Sequence, residues 1–151
     1  MRITTRGRYA LRASLALAKM GEGNKPVSVS ALSEQENISS VFLEQIFFKM
    51  RKAGIVSSIR GPGGGFCFAK PLNELTAKEI LDAAGEELDI TYCDKRNDSC
   101  VRIGQCISHN VWVDVNELVK KYFANITLAS ILERHDDVIN TLDQITTGLE
   151  A

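Results

Sequence analysis

No apolar run in this sequence approaches the roughly 18 residues of a membrane-spanning helix. Arginines spread through the first 20 residues, MRITTRGRYALRASLALAKM, interrupt any signal-peptide core. A cytoplasmic location is the resulting expectation. Internal repeats and low-complexity tracts are absent. The glycine run RGPGGG at 60–65 has no Lys-Ser or Lys-Thr pair after its last glycine, so it is not a phosphate loop. Its third glycine is misplaced for a dinucleotide fingerprint, and the run leads into no helix. No aspartate or oxyanion motif accompanies the Cys and His residues, which leaves a nucleophilic enzyme without its machinery. The expectation is therefore a non-enzyme. Structural disulfides are not expected in a reducing compartment.

What is present is ordinary in bulk and uneven in distribution. The 151 residues are 44% hydrophobic and 25% charged, as in a soluble globular protein of one domain or one small domain with an appendage. The net charge of −1 conceals a division. Residues 1–70 hold 11 Lys and Arg against 4 Asp and Glu, whereas residues 71–151 hold 7 against 15. A basic half is the electrostatic footprint of a phosphate-binding surface. The acidic half would be repelled by DNA and should face away from it.

Residues 39–70 organise the basic half. Leu43, Ile46, Phe47 and Met50 fall at i, i+3, i+4 and i+7, one face of a helix that Ser39 can cap and Gly54 can stop. Val41, Gln45, Phe48 and Lys52 occupy the opposite face, flanked by Glu44 and Lys49. Two short β-type runs, 55–59 and 66–69, surround the glycine run, which can turn tightly. A helix followed by a glycine-tipped hairpin with Arg60 at its root is the pattern of a winged helix. The helix can enter a major groove while Arg60 reaches a neighbouring minor groove. Ahead of it, Thr4 or Thr5 can cap a first helix to about residue 20, with Tyr9, Ala13, Leu17 and Met20 facing inward and Arg2, Arg6, Arg8 and Arg12 outward. Ser28 can cap a short second helix, and the turn at 36–38 completes a helix-turn-helix.

The acidic half opens on a capping box, Thr76 to Glu79, that starts a helix to about residue 84, with Ile80 and Leu81 packed under the wing. Then Cys93, Cys100, Cys106 and His109 fall within 17 residues. If Cys106 lies in the first turn of a helix, it shares a face with His109. Four such donors are a metal-site inventory. Gaps of six and five residues lack the Cys-x-x-Cys knuckle usual for zinc and tilt towards an iron–sulfur cluster, with zinc still open. Cys67, alone between two phenylalanines, reads as a packing residue.

From about 106 to 123 a long helix carries Ile107, Val111, Val115, Leu118, Val119 and Tyr122 at steps of three or four. That stripe is longer than so small a domain can cover, which points to a two-fold dimer. Thr127 can cap a last short helix to about residue 133, and the tail beyond it, with Val138, Leu142 and Ile145 in loose helical register, carries no clear sign of order. The fold class expected is mostly α with a small β-wing. Residues 1–72 form a winged helix-turn-helix DNA-binding domain. Residues 73–133 hold the connecting helix, the ligand loop (93–109) and the dimerisation helix, and 134–151 form a tail.

The stretches MRITTRGRYA, FLEQ at 42–45, RKAGIVSSIRGPGGG at 51–65, HNVW at 109–112 and NITL at 125–128, together with the cysteine–histidine set, resemble the IscR-like iron–sulfur cluster-binding winged-helix regulators, whose relatives include NsrR and RirA. The resemblance covers about residues 1–133. It implies a homodimeric transcription regulator on a pseudo-palindromic operator, controlling iron–sulfur cluster assembly genes as a repressor. It also implies a [2Fe–2S] cluster on Cys93, Cys100, Cys106 and His109, with a [4Fe–4S] cluster or zinc as alternatives. Glu44, Gln45 and Arg60 map to the base and backbone readers. Arg2, Thr4, Arg6 and Tyr9 complete the DNA surface at the first helix, and Ser28, Ser39 and Ser40 do so at the caps. Val41, Lys49 and Arg51 join them on the recognition helix, as do Ser58, Gly61, Pro62 and Gly63 in the wing. Val41 stands where IscR has serine, which implies a different operator preference. Two other classes compete: a same-fold regulator sensing nitric oxide or iron with a different cluster, zinc or bare thiols, and a small electron carrier, which has no need of a basic wing.

Overall fold

Hydroxyl side chains set where most of the helices begin. The computed structural model describes residues 3–22, 24–93, 100–102 and 104–149, the last nine as backbone only. Thr4 Oγ1 accepts from the Gly7 N–H at 3.3 Å ahead of α1 (Thr5–Met20). Ser28 Oγ accepts from the Ala31 N–H at 3.2 Å ahead of α2 (Val29–Glu36), and Ser39 Oγ from the Phe42 N–H at 3.4 Å ahead of α3 (Ser40–Lys52). Each bond satisfies one of the N–H groups that a helix start leaves unpaired. α2 ends on Asn37 in the left-handed region, and the Ile38 N–H turns back to the Ser33 carbonyl at 3.3 Å. The chain then enters α3 at once, closing the helix-turn-helix.

Leu43, Ile46, Phe47 and Met50 are all buried, the face that the α3 periodicity defines. They meet Leu17, Leu32, Ile80 and Leu128 in one core. β1 (Val56–Ile59) and β2 (Gly65–Phe68) pair antiparallel, Val56 opposite Phe68 and Ile59 opposite Gly65. Phe66 stacks on Phe47 with ring centroids 4.8 Å apart. The wing is also tied down from the other side. Val27 and Phe66 exchange both backbone hydrogen bonds at 2.9 Å. Asn24 donates to the Phe68 carbonyl at 2.8 Å and accepts its N–H at 2.7 Å. This approach requires Gly65, because a Cβ there would overlap the Val27 carbonyl. Cys67 is buried, as a packing residue should be.

α4 (Ala77–Ala84) begins with the Thr76–Glu79 capping box, both halves of it formed. It packs chiefly on α1, α3 and α5 (His109–Asn125), not under the wing, and Ile80 joins the central core. The wing's own underside is already filled by Phe47 and Phe66. In α1 the buried stripe is Ala10, Ala13, Ser14 and Leu17, with Met20 37% exposed and Tyr9 half-buried. The contacts with α2, α3 and α4 rotate the helix from the stripe expected at Tyr9, Ala13, Leu17 and Met20. α5 starts three residues later than expected, leaving Cys106 and Ile107 ahead of it. The Ser108 hydroxyl lies 3.3 Å from Cys106 Sγ and makes no cap. α6 (Leu128–Leu149) starts where Thr127 Oγ1 accepts the Ser130 N–H at 3.1 Å, and it runs far past residue 133. The tail beyond 134 is thus helical, its weak apolar repeat continuing the α6 register.

Candidate nucleic-acid interface and cysteine segment

The outer face of α3 presents six side chains around one shallow depression: Val41, Glu44, Gln45, Phe48, Lys49 and Lys52. Val41 is 63% exposed and Glu44 and Gln45 are exposed, because the helix spends its other face on the core. Phe48 is covered by cations, with Lys52 Nζ 4.8 Å and Arg51 Cζ 5.6 Å from its ring centroid. Arg51 also donates to Ser58 Oγ at 3.1 Å, fastening α3 to β1. At the wing tip, Gly61 and Gly63 take positive φ, and both are exposed with Pro62 and Arg60. Arg60 makes no ion pair among the described residues. Ser40 is exposed at the first position of α3 and Ser39 caps it.

The first helix contributes less uniformly. Arg6 and Arg8 are exposed, whereas Arg12 is bound to Glu36 at 2.9 Å and lies over the Tyr9 ring at 5.5 Å. Tyr9 meets Phe42 edge-on at 5.8 Å. Ser28 is committed to capping α2. Arg2 lies outside the described residues. Thr4 is held by a group absent from the sequence reading, Glu86. Its N–H donates to Glu86 Oε2 at 2.9 Å and its hydroxyl donates to Oε1, while the Gly7 N–H reaches Oε1 at 3.2 Å. Glu86 is 8% exposed. Burial pushes its carboxyl up, but the hydrogen bonds from Thr4 and Gly7, with the Arg6 charge, outweigh burial and hold it below the usual value. Gly7 leaves the space, since a Cβ there would run into the Glu86 side chain.

The cysteine segment begins from an equally firm root. Asn116 of α5, 2% exposed, accepts the Ile90 N–H at 2.7 Å and donates to the Thr91 carbonyl at 2.9 Å. Lys120 pairs with Asp89 at 2.6 Å. The one visible signal for Asn116 was its polar amide among the valines of the helix. Beyond this root, Cys93, Cys100 and Cys106 are free and half-buried, and His109 opens α5. Among the described residues no three His, Cys, Asp or Glu side chains are gathered closely enough to hold a metal ion. The expected shared helical face of Cys106 and His109 is replaced by a turn, in which the His109 N–H donates to the Cys106 carbonyl at 3.2 Å. Ser108, through its hydroxyl and then its backbone, holds the Cys106 thiol below its usual value.

On α5, Val111, Leu118 and Tyr122 are exposed and Val115 and Val119 half-buried, with Ile107 fully exposed just ahead. Among the described residues no helix is long and apolar enough to cross a membrane.

A helix-turn-helix whose outer face is open, joined to an anchored wing within a basic half, defines a winged-helix DNA-binding regulator. The family model for Rrf2, described as an iron-dependent transcriptional regulator, matches residues 3–134, and the chain belongs to that family. The IscR transcriptional regulator of Pectobacterium atrosepticum is 37% identical over 147 residues, 97% of this chain and 88% of that protein. Among solved structures, IscR of T. potens superposes with a TM-score of 0.70 at 26% identity, covering 91% of this chain and 90% of that one. CymR, the global cysteine regulator of B. subtilis, superposes at 0.72 with 27% identity, covering 89% and 98%. With these relatives, the chain is an IscR-like transcriptional regulator of the Rrf2 family rather than an enzyme.

Proposed function

We propose that the chain is a homodimeric, cytoplasmic repressor of iron–sulfur cluster assembly genes that senses cluster status through a [2Fe–2S] cluster. The observation that carries its DNA-binding half is the open α3 face beside the anchored wing that bears Arg60. In this reading α3 lies in a major groove of a pseudo-palindromic operator, Glu44 and Gln45 meet base edges, and Arg60 enters a minor groove. Thr4, Arg6, Tyr9, Ser28, Ser39, Ser40, Lys49 and Arg51 lie along the phosphate track with Ser58, Gly61, Pro62 and Gly63. The stripe Ile107, Val111, Val115, Leu118, Val119 and Tyr122 joins the two protomers.

The donor chemistry fits a cluster, since three thiols and an imidazole are ligands iron accepts. Cys93, Cys100, Cys106 and His109 would hold it. When bound, the cluster supplies a crosslink among these four residues that depends on iron and sulfide. The chain's own part is to fix both ends of the segment. Asn116 and Lys120 hold 89–91 on α5, and His109 begins that same helix. A second reading keeps the same fold and has it sense nitric oxide or iron through a [4Fe–4S] cluster, zinc or bare thiols. Anaerobic purification with a visible spectrum and iron, sulfide and zinc analysis tests the choice. Equal iron and sulfide at two per chain is the expected result; zinc, or no metal, would select the second reading.

A further inference from the structure

Val41 has no structural reason to be apolar. It is the second residue of α3, 63% exposed, and it packs on neither the core nor the wing. It shares one depression with Glu44 and Gln45, three and four residues on, and with Lys49 and Lys52, whose charges match a phosphate backbone. We propose that Val41 reads the 5-methyl group of a pyrimidine in the major groove, making this chain specific for a thymine or 5-methylcytosine beside the bases read by Glu44 and Gln45. This rests on the reading of α3 as the DNA-reading helix.

Three physical facts carry it. Residues near the start of a recognition helix are those that meet base edges. A valine side chain can neither donate nor accept a hydrogen bond, and the only apolar group on a major-groove base edge is the 5-methyl. Its β-branched rotamer is stiff in a helix, so its two methyls stand in a fixed direction and lose little freedom on contact. The geometry supports a composite code. Glu44 accepts from a cytosine or adenine amino group, and Gln45 pairs with adenine. The rise of about 4.5–6 Å from Val41 to these two residues is one to two base-pair steps of roughly 3.4 Å. A methyl-bearing pyrimidine is therefore required one or two positions from the hydrogen-bonded bases.

The test uses the full chain and a duplex enriched from a random-sequence library at constant salt. Each thymine of that duplex is then replaced singly by deoxyuridine, which removes only the methyl. One position per half-site should weaken binding about fourfold, the value of one buried methyl-sized group, while the others change little. At that position, cytosine should bind as weakly as uracil, and 5-methylcytosine should regain affinity if the methyl rather than the O4 carbonyl is read. Val41→Ala, which withdraws two methyls from the base edge and leaves only its Cβ, should distinguish the thymine and deoxyuridine duplexes less than wild type does. A wild-type protein indifferent to every deoxyuridine substitution, or a Val41→Ala variant that distinguishes the two duplexes as well as wild type does, overturns the proposal. Failure to enrich any sequence would instead overturn the reading of α3 beneath it.

Discussion

Glu86 accepts three donors from the start of α1, and its loss should be felt first as instability. Glu86→Ala strands the Thr4 N–H in a part-buried site and leaves the Gly7 N–H only its longer bond to Thr4 Oγ1, and leaving a buried donor unpaired costs about 1–3 kcal/mol. The urea midpoint should fall accordingly. The carboxyl lies below its unfolded value, so its contribution is complete above the unfolded pKa of about 4.3 and is lost as pH falls through the folded one. Glu79 of the capping box, held down by the Thr76 N–H, acts in the same sense. Thermal melts between pH 6 and pH 3 should therefore show a smaller acid-induced loss for Glu86→Gln than for wild type. A second residue-scale test falls on the ligand set of the proposed cluster. Imidazole binds iron less firmly than thiolate and must be deprotonated to do so. His109→Ala should shorten the anaerobic lifetime of the visible spectrum and His109→Cys lengthen it. A spectrum and lifetime unchanged in His109→Ala would remove His109 from the ligands.

At the level of elements, the wing is the part most sharply set by its neighbours. With Asn24, Val27 and Arg51 holding its two strands, its tip stands in one place relative to α3, and Arg60 is its exposed cation. In the proposed complex, Arg60→Ala should cost about 1–3 kcal/mol of operator affinity, read by titration at fixed salt. Equal binding would remove the wing from the interface. The wing was legible in sequence because its signals are local: a glycine run, two β-type runs and a preceding helix with a four-residue apolar period. The same holds for the caps at Thr4, Ser28, Ser39 and Thr76, each acting within three residues of itself. What was hidden lies across long separations or in competing local bonds. Glu86 and Thr4 are 82 residues apart and Asn116 and Thr91 are 25, distances at which no periodicity speaks. Cys106 missed the helix because Ser108 bonds its thiol instead of capping, and α6 outran its expected end because its repeat is sparse rather than absent.

At the scale of the whole molecule, the α5 stripe is a strip of apolar surface left uncovered among the described residues. Leu118 is 65% exposed at the middle of the α5 stripe, and a two-fold partner would bury it against its own copy. Leu118→Asp should give monomers by sedimentation that bind a single half-site weakly, since the partner's contacts are forfeited. An undiminished dimer would move the interface off α5. The buried apolar residues, by contrast, converge on one core. Leu75, Ile80 and Leu128 are fully buried with the α3 residues, and the Leu128 N–H bonds the Leu75 carbonyl at 2.9 Å. That closure has a consequence in time. A ribosome delivers roughly 5–20 residues per second, so Leu128 emerges roughly 3–12 s after the second wing strand, which ends at Phe68. Until then the core around α3 and α4 lacks Leu128, one of its fully buried side chains, and a chain released before that point should unfold at a lower urea concentration than the whole one.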